Sequence, residues 1–216
     1  MRNIYDQEMR DIHRDSITMC NLAAEALQDA MEAVRRRDFT VVERVQELDG
    51  RIRNMRMGLN ERVMRMIATQ HPVAVDLRKL FYLIHTADEM ERIGYNAALI
   101  VKDMTHTEQG NVVLVEVIYR MCERTCTMFE TTLTATLGEN LEAVHSVIRM
   151  DDDLDIMQEQ VYRECVARHP SDEDTDVLAA INISRQLERV GDHIINWCRW
   201  WLCFCVRHDG STKILV

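Results

Sequence analysis

Apolar residues recur at three-to-four spacing along almost the whole chain, and nothing alternates in the manner of a strand-turn-strand unit. The pattern predicts six helices, at 5–36, 40–69, 73–104, 109–137, 140–168 and 174–207. The breaks between them fall at Arg37-Asp38, His71-Pro72, Gly110-Asn111, Gly138-Glu139-Asn140 and His169-Pro170-Ser171-Asp172, all plausible capping and turn residues. Only two prolines and seven glycines interrupt 216 residues, whereas Met, Ala, Leu, Glu and Arg abound, so long helices are favoured. Helices of about 30 residues are roughly 45 Å long at about 1.5 Å rise per residue, a length that suits bundles.

The helix pattern repeats. MCNLAAEAL at 19–27 aligns with MCERTCTMF at 121–129, and RDFTVVERVQELD at 37–49 with ENLEAVHSVIRMD at 139–151, both at an offset of 102. ERIGYN at 91–96 aligns with ERVGDH at 188–193 at an offset of 97. The five-residue change lies between Asp49 and Glu91, near the second hairpin turn. The expected fold class is therefore all-α, with six long helices in two pseudo-symmetric three-helix bundles made by tandem duplication. The expected domains are 1–107 and 108–216.

Two positions in the sixth helix disturb its pattern. Glu188 and Asp192 lie one turn apart, where like charges destabilise a helix, and Gly191 between them costs about 1 kcal/mol relative to Ala. The stripe through Leu178, Ile181 and Ile195 passes through Arg185, Glu188 and Asp192, which puts both acids on or at the edge of the packing face. In the fifth helix Val144, Ile148, Asp151, Asp155 and Tyr162 follow one stripe, with Asp151 and Asp155 again one turn apart. Four carboxylates in a partly buried seam repel one another and lose solvation, so protons, basic side chains or a cation must offset them. Arg185 and Arg189 offer a salt-bridged alternative. A cation site would suit hard or borderline metal ions, which take carboxylate oxygens. His193 adjoins Asp192 on a neighbouring face and is a further candidate ligand.

The formal net charge of -10 argues against nucleic acid as a partner and is compatible with cations or a basic protein. Seven cysteines, an odd number without a CxxC pair, and no signal-peptide pattern point to structural thiols in a reducing compartment. No run of about 18 uncharged apolar residues predicts a membrane span.

MRNIYDQE at the start, HPVAVDLRKL at 71–80, DEMERIGYNAALI at 88–100 and QLERVGDHIINW at 186–197 resemble the PhoU family, regulators associated with bacterial phosphate uptake. The resemblance spans nearly the whole chain, duplication included. It implies a cytoplasmic, non-enzymatic negative regulator linking the ATPase of a phosphate ABC transporter to a sensor histidine kinase, as a homodimer, with peripheral membrane association through the transporter. It also implies E(D)xxxD motifs that bind metal, iron or zinc by resemblance, with manganese or magnesium as alternatives. Residue by residue, the second half matches that motif at Asp151, Asp155, Glu188 and Asp192. The first half keeps Asp49 and Glu91 but has Arg53 and Tyr95 where the second half has Asp155 and Asp192. The expectation is one intact acidic site and one degenerate one, in which Arg53 takes the place of the metal. Gly94 persists where the acidic pair is broken, so the glycine is expected to serve helix packing. The resemblance also makes Asp76 and Arg78, near the start of the third helix, candidates for a partner surface.

WCRWWLCFC at 197–205 is expected to serve core packing or self-association, with contact at a membrane interface as the alternative. An enzyme finds little support. Di-iron bundles need paired Glu-x-x-His motifs, and Glu142–His145 stands alone. No Gly-rich phosphate loop, GxSxG or HExxH occurs. A metal-dependent enzyme or a metal-storage protein using the same acids is the alternative function.

Overall fold

The computed structural model describes residues 2–107, 115–167 and 175–205, and among these there are six α-helices and no strand. They are α1 (Arg2–Arg36), α2 (Val42–Gln70), α3 (Ala74–Met104), α4 (Val115–Leu137), α5 (Leu141–Ala167) and α6 (Thr175–Phe204). The expected breaks at Gly110-Asn111 and at 169–172 lie outside the described residues, and the expected domain boundary after Thr107 falls at their edge.

Each half packs as a triplet: α1, α2 and α3 touch one another, as do α4, α5 and α6. The halves join mainly through α3 against α6, with α1 against α4 as a second contact. Helices α3 and α6 thus meet at the centre, with α2 packed on α3 and α5 on α6, and α1 and α4 touch each other while each packs on the two other helices of its own half. One continuous core runs through both halves, from Ile12, Met19 and Leu27 through Ile52, Met90 and Ile93 to Phe129, Leu154, Leu187 and Trp197.

The duplication is visible atom by atom. A Cβ added to Gly94 would meet Ile52 Cδ1 at 2.8 Å and the Asp49 backbone at 3.9 Å, and one added to Gly191 would meet Leu154 Cδ1 at 2.6 Å and Asp151 Oδ1 at 3.3 Å. Ile52 and Leu154, like Asp49 and Asp151, keep the offset of 102, while the glycines keep 97, so both registers hold in one contact. Both glycines lie where α3 meets α2 and α6 meets α5, and no larger residue fits without displacing the buried aliphatic side chain opposite. Gln28 donates from Nε2 to Glu130 Oε1 at 3.3 Å; these residues, 102 apart, face each other across the internal two-fold.

The first turns of the two halves also match. Arg37 and Glu139 take left-handed backbone at φ 56° and 52°. The next residue then closes the helix behind it, Asp38 N donating to Ala33 O at 3.3 Å and Asn140 N to Ala135 O at 2.8 Å. The same residues start the next segment, Asp38 Oδ1 accepting from Thr40 N and Asn140 Oδ1 from Ala143 N. The second helix departs from expectation here. A 3₁₀ turn over Phe39–Val41 precedes α2, because the Asp38 side chain caps the chain at Thr40 before the α-helical register is set. At the second turn Glu139, not Gly138, takes the left-handed conformation.

Candidate metal centre

The seam between α5 and α6 is set by Leu154, fully buried, against Gly191. The missing side chain lets α5 approach until Asp151 lies against the α6 backbone. Asp151 and Glu188 are half-buried, while Asp155 and Asp192 are exposed, so the acids line the edge of the seam and not its floor. The stripe expected to pack inward is corrected accordingly: Leu178 is 55% exposed and Tyr162 59%, whereas the inner face of α6 runs through Val177, Ala180, Leu187, Ile194 and Trp201. The observed inner face has the same seven-residue repeat but is phased one position earlier, at Val177, Ala180, Leu187 and Ile194 where Leu178, Ile181, Glu188 and Ile195 were expected, which leaves the acids at the rim.

The four acids act on one another. Burial, then the charges of Asp155 and Asp192, push the Asp151 carboxyl up from 3.8 to about 6. Burial, then Asp192, Asp155 and Asp151, also push Glu188 up. Arg199 and Arg189 relieve this only at a distance. Among the described residues no ion pair reaches any of the four, so the salt-bridged alternative for this seam is not what the chain adopts. Nor do three or more His, Cys, Asp or Glu side chains among the described residues converge closely enough to hold a metal ion. The donor set fits a hard cation in its chemistry, four carboxylates that no ion pair among the described residues reaches.

The matching seam between α2 and α3 is built from the same positions and behaves differently. Arg53 Nη2 lies 2.6 Å from Asp49 Oδ2, and its Nε lies 3.9 Å from Glu91 Oε1. Arg56 Nε lies 2.7 Å from Glu91 Oε2 and its Nη1 3.4 Å from Asp88 Oδ1. Asp49 is 8% exposed, deeper than its counterpart Asp151, and a guanidinium lies directly against it. Tyr95, at the position matching Asp192, is 49% exposed.

The structure turns His193 away from the acids. Its Nδ1 lies 2.9 Å from Glu89 Oε2, and Trp200 Nε1 donates to Glu89 Oε1 at 3.2 Å. Glu89 belongs to α3 and is 4% exposed, so His193 and Trp200 supply the partners that a buried carboxylate needs. His193 is therefore a clamp between the halves and not a ligand beside Asp192: consecutive helical residues point about 100° apart. Next to this clamp His85 stacks on Trp200 with centroids 3.8 Å apart, and Phe81 stacks on Phe204. Trp197 and Trp201 are buried, so the aromatic run at the end of α6 is mainly core.

Asp76 and Arg78 are engaged within the chain. Arg78 Nη2 donates to the Cys203 carbonyl near the end of α6 at 2.7 Å, which satisfies a terminal helix acceptor. Asp76 stands beside Tyr5, whose hydroxyl is pushed up to about 12 by burial and then by that carboxylate.

Sequence reasoning missed Arg56, Asp88 and Glu89. The signal for Arg56 was present: it lies three residues after Arg53, on one face of α2. Glu89 sits in the stripe of Thr86, Met90 and Ile93, and a lone carboxylate there implied a buried partner.

The PhoU domain family model matches the chain twice, over residues 17–104 and 118–201. The chain belongs to the PhoU family. A phosphate-specific transport system accessory protein PhoU from Serratia marcescens is 30% identical over 98% of this chain and 91% of its own length. A PhoU homolog of that description from Clostridium acetobutylicum is 27% identical over 91% and 92%. The fold is shared with the crystal structure of the phosphate transport system regulatory protein PhoU from Streptococcus pneumoniae, at a TM-score of 0.85 and 20% identity over 98% of this chain and 100% of that one.

Proposed function

We propose that this protein regulates phosphate uptake as an accessory factor of a phosphate-specific transport system, and that a metal cation held by Asp151, Asp155, Glu188 and Asp192 is part of how it does so. Relatives matching along nearly their whole length carry the accessory name, which supports the first part. The second part rests chiefly on one observation, the half-buried Asp151 and Glu188 crowded by Asp155 and Asp192 with no ion pair to either among the described residues, Arg199 and Arg189 acting only at a distance. A divalent or trivalent ion would supply the missing positive charge. Iron or zinc are the family-implied ions, with manganese or magnesium suited to an all-oxygen set.

The chain acts in this reading as a negative regulator and adaptor between the transporter ATPase and a sensor histidine kinase in the cytoplasm. No helix among the described residues is long and apolar enough to cross a membrane. The test is affinity purification of the tagged protein from its own cells grown in low and high phosphate, with a starvation-responsive reporter in the deletion strain. Recovery of the transporter ATPase or the kinase, and a reporter left on at high phosphate, is the expected result. Recovery of neither, with a normally repressed reporter, contradicts the proposal.

A further inference from the structure

We infer that Arg53 and Arg56 serve the first seam as a built-in counter-cation, so that only the α5–α6 seam of this chain takes up metal. The inference rests on the metal reading above, and it concerns residues that the duplication lets us compare one to one. In the α2–α3 seam Asp49, Glu91 and Asp88 are each met by a guanidinium, at 2.6, 2.7 and 3.4 Å. In the α5–α6 seam the positions of Arg53 and Arg56 hold Asp155 and Gln158, and the position of Tyr95 holds Asp192. Two cations have thus been exchanged for one acid and one amide, and a phenol for another acid, while Asp88 gives way to the exposed Arg185, which makes no ion pair with the four acids among the described residues. The two seams otherwise keep the same glycine-on-aliphatic contact, Gly94 on Ile52 and Gly191 on Leu154. The helix packing is therefore held constant while the charge is changed. A guanidinium cannot be deprotonated in a protein, and its fork suits carboxylate geometry. A metal ion entering between Asp49 and Glu91 would have to displace two bound arginines. Asp49 keeps one buried oxygen, Oδ1, without a hydrogen-bond partner, so the arginines meet each carboxylate of the seam without filling every lone pair.

The experiment is a transplant. Wild type, the second-seam variant D151N/D155N/E188Q/D192N and the first-seam variant R53D/R56Q/Y95D are dialysed against manganese alone. Bound metal is then measured by elemental analysis, with circular dichroism as the folding control. Wild type is expected to load one seam, the second-seam variant to lose the metal, and the transplant to carry about twice the wild-type load. Metal retained at half the wild-type load in the second-seam variant overturns the inference while leaving the metal reading standing. Metal absent from wild type but present in the transplant overturns uptake by the second seam, and with it the metal reading, while upholding the exclusion of metal from the first seam by its arginines. A folded transplant with no added metal overturns the inference. If the transplant does not fold, a double-mutant cycle of R53Q with D49N in metal-free protein decides. The two changes are expected to be strongly non-additive in thermal stability, and additive effects overturn the inference.

Discussion

Asp151 is half-buried among three other carboxylates, and its folded-state value of about 6 lies above the ordinary 3.8. The folded chain therefore holds that proton more tightly than the unfolded chain. The resulting stability is full below about pH 4 and is lost as pH rises through about 6. For the metal-free protein, Asp151→Asn should stabilise at pH 7 by about 1 kcal/mol, a figure already discounted for the solvent screening of a half-exposed group. The advantage should shrink towards zero near pH 4. Thermal unfolding of both proteins across that range checks it, and an equal or lower melting temperature for the variant at pH 7 would show that the crowding is relieved some other way. At this scale the sequence was informative about identity and poor about direction. It placed Glu188 and Asp192 one turn apart, yet gave no hint that His193 reaches across to Glu89, because that contact joins residues 104 apart through a helix pairing.

Helix α2 contains Gly50 and Gly58, and a Cβ on either would meet nothing within 4 Å, while Gly191 in α6 would press one onto Leu154 at 2.6 Å. Gly58→Ala should stabilise by about 1 kcal/mol from helix propensity alone. Gly191→Ala gains the same propensity but overpacks a core side chain at a cost of about 1–3 kcal/mol, so it should be neutral to destabilising by about 2 kcal/mol. Chemical denaturation of the two variants compares them, and equal stabilisation by both would remove the packing role assigned to Gly191. The turn between α4 and α5 carries a related prediction. Glu139 sits at φ 52°. A non-glycine residue there costs about 1–2 kcal/mol, against roughly 0.4–1 kcal/mol of chain entropy for glycine, so Glu139→Gly should raise stability by about 0.5 kcal/mol. A loss on denaturation would mean that the Glu139 side chain contributes more than its backbone costs. Helix existence was readable from apolar periodicity, and the three breaks that lie within the described residues fall within a few residues of expectation. The 3₁₀ entry to α2 and the choice of Glu139 over Gly138 were not, since both depend on which residue caps the next helix.

Across the whole molecule, duplication makes one architecture carry two charge states. The first half meets each of its acids with Arg53 or Arg56, whereas among the described residues no ion pair reaches Asp151 or Glu188. The repeat in the sequence exposed the substitution of Arg53 and Tyr95 for acids, but only the packing of α2 on α3 shows a second arginine meeting Glu91 and Asp88. Both halves meet along α3 and α6, where Glu89, His193 and Trp200 tie them together one residue away from Asp192. The metal content of protein purified from its own cells, wild type beside D151N/D155N/E188Q/D192N, tests the central claim most directly. The account predicts metal in the wild type and its loss from a variant that still folds; equal metal in both, or none in either, would contradict it.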